Sequence, residues 1–148
     1  MLKKGKNEGD MMIKKKKVIV FDVDGTLCLE KKYGEKYDNV IPNLEVIKSL
    51  RRYKKKGFYI ILNSSRNMNS FDGNVGKINA VTLKTLLKWL DKNSIPHDEI
   101  HMGKPWCGTE GFNVDDKTIR PSEFLSNSYE GIRKMLAKEK KIIAKRSG

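Results

Sequence analysis

Long hydrophobic runs are missing from this chain of 148 residues. The longest clean one, Phe58 to Leu62, falls far short of the ~20 apolar residues that span a bilayer. Residues 1–17 are basic but carry no apolar stretch of the kind a secretory signal needs. On this reading a membrane-spanning protein is excluded, a secreted one is disfavoured, and a cytoplasmic one is expected. Cysteine is scarce: Cys28 and Cys107 are the two, far apart in sequence. Without export a disulfide framework is not expected. His97 and His101, the two histidines, lack the spacing to those cysteines that a structural zinc site needs. Free thiols are the expectation.

Acidic charge is also short, at 18 Asp+Glu against 31 Lys+Arg, for a formal net charge of +13. Such a balance raises nucleic acid as a partner. Its location argues otherwise. Residues 1–17 carry +5 and residues 131–148 carry +6, which leaves +2 for everything between. Two basic tails flank a nearly neutral body, and solvated tails explain them better than a nucleic-acid patch. At this length one compact domain is expected, with residues 1–13 a disordered basic leader and residues 14–146 a single domain.

What is there reads as strands alternating with helices. Val18 to Phe21 is a short β-branched run and a buried strand. Pro42 opens a helix through Lys56 with Val46, Ile47, Leu50 and Tyr53 on one side, and Gly57 stands at the C-cap position. Phe58 to Leu62 is a second strand, followed by a loop over 63–76. Leu83, Leu86, Leu87 and Leu90 have the spacing of a core-facing helix. Ile100 to Met102 predicts a third strand and Phe112 to Val114 a fourth. Asn127 with Glu130 reads as the N-cap pair of a last helix, with Ile132, Met135, Leu136 and Ile143 as its apolar face. The pattern implies an α/β fold: a three-layer, Rossmann-like parallel sheet with helices on both faces. Ligands of such sheets bind at the carboxyl ends of the strands.

The strongest local signal lies at one such end, Phe21-Asp22-Val23-Asp24-Gly25-Thr26-Leu27. Two carboxylates follow a buried strand, and Gly25 lets the chain turn sharply after them. Close carboxylates repel unless a proton or cation relieves them, and a hard cation such as Mg²⁺ suits oxygen ligands. Asp115-Asp116 repeats the feature at the end of the predicted fourth strand. Ser64 offers a hydroxyl, and Lys104, in Gly103-Lys104-Pro105, a positive charge. Together these suit phosphoryl transfer, which depends on positioning and charge stabilisation.

At this point the chain resembles the haloacid dehalogenase superfamily. Asp22 to Leu27 matches its DxDGT motif, Ser64 its second motif, Lys104 its third, and Asp115-Asp116 its fourth, over roughly residues 18–130. A nearer resemblance is to small phosphatases of capsular polysaccharide biosynthesis. It rests on Arg66-Asn67-Met68, on Gly73 to Asn79, on Gly103 to Trp106 and on Val114 to Pro121. The resemblance implies that Asp22 attacks phosphorus and forms an aspartyl-phosphate, while Asp24 protonates the leaving oxygen and then activates water. It implies Mg²⁺ held by Asp22, the Asp24 carbonyl and Asp115, with Asp116 in support. Ser64, Lys104, Gly25 and Thr26 would hold the phosphoryl group. An acid at position 24 favours a phosphatase over the dehalogenases and P-type ATPases of the superfamily, which lack one there.

The intervals between motifs leave no room for a cap domain, so a capless enzyme is expected, with residues 28–40 as a flap and 67–79 as a rim. Arg66 and Arg120 are candidates to grip a second anionic group of the substrate. Lys104 must reach the site from a loop. The leading expectation is a Mg²⁺-dependent phosphatase of a phosphorylated sugar or related small metabolite. The alternatives are a nucleic-acid end phosphatase using the basic tails, or a non-enzymatic phosphate-binding module. No membrane partner is expected, and oligomeric state stays open, a homo-oligomer included.

Overall fold

The computed structural model describes residues 16–148, so the leader expected over residues 1–13 lies outside the described residues. The elements are β1 (Val18–Asp22), a single 3-10 turn (Tyr37–Asn39), α1 (Leu44–Lys55), β2 (Tyr59–Ser64), α2 (Val75–Ala80), α3 (Thr82–Lys92), β3 (Glu99–Met102), α4 (Pro121–Ser126) and α5 (Tyr129–Ser147). The strands form one parallel sheet in the order β1-β2-β3. The α/β class with flanking helices holds. No helix among the described residues is long and apolar enough to cross a membrane.

Register decides which side chains share a face. Phe21 pairs with Leu62 and Leu62 with Ile100, so these three line one side of the sheet. That side carries the core. Val46, Ile47 and Leu50 of α1, Leu86, Trp89 and Leu90 of α3, and Phe124 of α4 all pack into one cluster with Phe21, Ile60 and Leu62. Each fully buried aliphatic side chain stabilises by about 1.5–3 kcal/mol. Consecutive strands laid side by side with right-handed crossovers put both connecting helices on the same face, which explains the concentration. The other side is thinner: Val20, in mid-strand, remains 57% exposed.

Helix α1 is the predicted amphipathic helix, and Gly57 follows it at φ +91°, a conformation glycine adopts without strain. In α3 the buried face is Thr82, Leu86, Trp89 and Leu90, while Leu87 points outward. Trp89 takes the inner place because its Nε1–H donates to the Val40 carbonyl at 3.0 Å, which satisfies the one polar atom it buries. The expected loop over 63–76 is shorter, because β2 runs on to Ser64 and α2 begins at Val75.

Three expectations need correction at the carboxyl-terminal end. The fourth strand over Phe112–Val114 does not form. Residues 103–120 have no regular structure, and Phe112 and Val114 are 80% and 88% exposed. A three-residue run alternates correctly but has no paired strand to fix it. Helix α4 was not anticipated, although Pro121 at its first turn and Glu123, whose carboxylate accepts the Arg120 N–H at 2.9 Å, are its start signals. The N-cap of α5 is Ser128, not Asn127. Its Oγ accepts the Gly131 N–H at 3.1 Å. Of the apolar face expected for α5, Ile132 alone is buried, Met135 and Leu136 are half-buried, and Ile143 is exposed.

Candidate active site

Strand β1 ends at Asp22, and the next six residues form a turn fixed from within. The Val23 carbonyl accepts the N–H groups of Thr26, Leu27 and Cys28 at 3.2, 2.9 and 3.3 Å. Val23, Leu27 and Cys28 are buried and anchor the turn to the core. Gly25, at φ +86°, lets the chain reverse. Asn43, just before α1, ties the turn down twice, its N–H to the Leu27 carbonyl and its Nδ2 to the Thr26 carbonyl. The Asp22 and Asp24 side chains are thereby held at the sheet's carboxyl edge on a rigid base.

Asp22 is a partly exposed carboxylate with a donor on each oxygen. Thr26 Oγ1 donates to Oδ2 at 3.2 Å, and Lys104 Nζ lies 3.4 Å from Oδ1. Lys104 does reach the site from its loop, and the means are local. Its backbone N–H donates to the Ser64 carbonyl at 3.0 Å, which extends the strand edge by one residue. Gly103 makes the bend at φ +86°, where a Cβ would stand 2.9 Å from Cγ2 of Val75. Only glycine fits between β3 and the start of α2. Ser64 is buried, and its Oγ accepts the Arg66 N–H at 3.1 Å.

Asp24 has a partner that the sequence did not disclose. Arg66 grips it through two nitrogens, Nε to Oδ2 at 3.1 Å and Nη2 to Oδ1 at 2.9 Å. Bidentate pairs of this kind fix orientation as well as charge. The Arg66 side chain is fully buried, and its guanidinium lies 4.2 Å from the centroid of the Tyr37 ring. Its third nitrogen, Nη1, is buried without a hydrogen-bond partner among the described residues. The expectation that Arg66 grips substrate is therefore revised: two of its three nitrogens serve Asp24. Burial, and then the Asp24 charge, push the Tyr37 hydroxyl up from its usual value, so it stays protonated. The Cys28 thiol, whose Sγ lies 3.5 Å from Asp24 Oδ1, is pushed up to about 12, by burial first and by Asp24 second. Both cysteines are free thiols, Cys28 buried and Cys107 exposed.

The remaining predicted residues stand apart. Asp115 and Asp116 are exposed on the irregular segment, where Asp115 Oδ1 accepts the N–H of its neighbour Lys117 at 2.8 Å. Arg120 is exposed at the N-cap of α4. Among the described residues no group of three His, Cys, Asp or Glu side chains could hold a metal ion. Of the three expected ligands, Asp22 and Asp24 stand together, while the third, the Asp115 carboxylate, stands apart on the irregular segment. Among the described residues the donor set, as placed, does not fit the cation.

Tyr37 is the site residue that sequence reasoning missed outright. Its place in the expected flap over 28–40 was the available hint. Trp106, which ends the Gly103–Trp106 segment, is 44% exposed on the irregular segment.

No family model matches the chain, and no curated protein matches it. Solved structures do. The D,D-heptose 1,7-bisphosphate phosphatase from B. bronchiseptica, complexed with magnesium and phosphate, aligns with 18% identity and a TM-score of 0.43, over 65% of this chain and 54% of that one. The Pnkp1/Rnl/Hen1 RNA repair complex aligns with 26% identity and a TM-score of 0.43, over 58% and 25%. Neither is close enough to argue from. The crystal structure of a structural-genomics target from Vibrio cholerae aligns with 48% identity and a TM-score of 0.79, over 83% of this chain and 98% of that one. At that identity and coverage the chain belongs to the same family as the Vibrio cholerae protein.

Proposed function

We propose that the protein is a phosphomonoester hydrolase of the haloacid dehalogenase type, acting through an aspartyl-phosphate on a phosphorylated small molecule. One observation carries this reading. The Asp22 carboxylate stands at the end of a parallel strand with Lys104 and Thr26 on its two oxygens and a second carboxylate, Asp24, two residues on. A cation beside the nucleophile offsets the charge of an approaching phosphoryl group. In the first step an Asp22 oxygen bonds to phosphorus, the ester P–O bond breaks, and Asp24 gives its proton to the departing oxygen. In the second step water bonds to phosphorus and its proton passes to Asp24. The acyl phosphate P–O bond then breaks, and Asp22 returns as a free carboxylate. Arg66 orients Asp24 throughout, and its pair must loosen each time Asp24 carries a proton. The likeness of Arg66–Met68, Gly73–Asn79 and Val114–Pro121 to capsular polysaccharide phosphatases makes sugar phosphates the first substrates to try.

The test is phosphate release from a panel of sugar phosphates, nucleotides and end-phosphorylated oligonucleotides, each with Mg²⁺ and with EDTA. Turnover of a sugar phosphate that EDTA abolishes and that Asp22→Asn lacks supports the reading. Turnover that survives Asp22→Asn removes the nucleophile assignment, and turnover confined to oligonucleotides transfers the function to nucleic-acid ends.

A further inference from the structure

The cations of this chain are not confined to its two ends. At the amino edge of the sheet a cleft of about 330 Å³ opens between the carboxyl-terminal half of α1 and the start of α5. Lys17, just before β1, and Phe58, just before β2, lie in its wall. Asp22 closes the far end of β1, and a strand of that length spans roughly 17 Å, so the cleft is separate from the candidate active site. Aromatic rings make its floor. Tyr53 meets Phe58 edge-on at 4.9 Å between centroids and stacks on Phe124 at 5.4 Å, and Phe58 meets Tyr129 edge-on at 5.2 Å. Cations are seated on these rings. Lys17 Nζ lies 5.5 Å from the Phe58 centroid, Lys56 Nζ 6.0 Å from that of Tyr53, and the Arg133 guanidinium 5.9 Å from that of Tyr129. Arg52 is fixed by another means, since its Nη2 donates to Oγ of the buried Ser49 at 2.7 Å. Lys17, Arg52 and Lys56 line the cleft, Arg133 flanks it, and Glu130 is the acid in the lining. Among the described residues none of the four cations is in an ion pair.

We propose that this cleft is a second, non-catalytic site that binds a small polyphosphorylated ligand through its phosphate oxygens. Charge selects an anion, and one of more than a single charge: the lining carries three cations against Glu130, and Arg133 adds a fourth. Cations gathered around one concavity repel each other, and an anion among them relieves that. Seating matters as much as number. A lysine already held over a ring, or an arginine already bonded to a buried hydroxyl, has less freedom left to lose when it takes a phosphate oxygen. The rings select phosphate over a nucleobase. The faces that Lys17, Lys56 and Arg133 cover are not open to a stacking base, which is what single-stranded nucleic acid looks for on an aromatic platform. Size selects a compact ligand, since the cleft is at the small end of the range for small-molecule sites. The assignment does not rest on the phosphatase reading, because no residue of the Asp22 site takes part in it.

The experiment is titration calorimetry of the full-length chain with tripolyphosphate, in EDTA, beside two variants that separate the sites. Lys104→Gln strips the cation from the Asp22 site and should keep tripolyphosphate binding at the cleft. Arg52→Gln/Lys56→Gln should weaken that binding by about tenfold or more, through the loss of two charged contacts. It should also leave circular dichroism and any phosphomonoester turnover at wild-type values. Backbone amide NMR shifts on adding the probe should gather over residues 52–58 and 127–131. Inorganic phosphate should bind more weakly than tripolyphosphate, and adenosine triphosphate within about threefold of it, because the base finds no open ring. Three results overturn the assignment. One is a wild type that does not bind tripolyphosphate. Another is binding that Arg52→Gln/Lys56→Gln leaves unchanged or that Lys104→Gln abolishes. The third is an adenosine triphosphate or a single-stranded oligonucleotide bound at the cleft about tenfold tighter than tripolyphosphate, which makes it a base-stacking site.

Discussion

Residues 18–104 and residues 105–120 carry comparable sequence signals and fare very differently. In the first stretch every catalytic candidate is attached to a backbone group that already has a partner. Asp22 closes a paired strand, Ser64 closes another, and the Lys104 N–H is bonded to the strand that carries Ser64. In the second stretch Asp115 and Asp116 follow an alternating apolar run of the same style, yet among the described residues the run pairs with no strand, and Phe112 and Val114 face water. A motif is placed by the hydrogen bonds of the strand beneath it, not by its own letters. The contrast can be broken or sharpened by measurement.

The largest effect is expected at Asp22. Asp22→Asn keeps the shape and both donors nearby but removes the proposed nucleophile, and turnover should fall by about 10³-fold or more, roughly 4 kcal/mol of transition-state stabilisation. Circular dichroism and the unfolding midpoint should stay at wild-type values. Next comes packing. Leu62→Ala, in the middle of β2 and fully buried, should cost about 2–5 kcal/mol in chemical denaturation. Val114→Ala, on the irregular segment and 88% exposed, should cost under about 0.5 kcal/mol. Equal costs for the two would erase the distinction between the stretches.

A smaller effect lies at Asp98, just before β3. Its carboxylate accepts both the Ile60 N–H at 2.8 Å and Lys54 Nζ at 2.7 Å. These bonds hold it below the usual carboxylate range, the backbone bond most strongly and the lysine next. A lowered carboxylate stabilises above its unfolded value and loses that contribution as pH falls through the folded one. The difference in stability between wild type and Asp98→Asn should therefore be flat near neutrality and close as pH falls below about 4. Both side chains are partly exposed, so the gap should be only about 0.5–1 kcal/mol. Smallest in energy, and simplest to read, is thiol labelling. At pH 8 iodoacetamide should modify exposed Cys107 within minutes and leave Cys28 intact, since that thiol is buried and pushed up to about 12.

The three strands and α1 were legible because each is a run of apolar residues whose period matches its element, and each has a neighbour to pack against. Phe112 to Val114 shows the limit, since alternation over three residues predicts a strand but no partner. Trp89 shows another. The leucine spacing located α3, but which residues face inward depended on a carbonyl at Val40, 49 residues away, that could take the indole N–H. At the site the acidic turn, Ser64 and Lys104 were readable because they sit beside strands. The Arg66–Asp24 pair was not, because an ion pair between residues 42 apart leaves no local pattern. Tyr37 was hidden for the same reason.

The Lys104 bend has a consequence for anyone who would rebuild this site elsewhere. The ammonium, the Ser64 side chain and the tight passage beside Val75 are set by three adjoining pieces of backbone that share one hydrogen bond and one missing methyl group. They form a single transplantable cassette. Moved together onto another parallel sheet they should carry their spacing with them. Moved residue by residue, the lysine arrives without the turn that aims it.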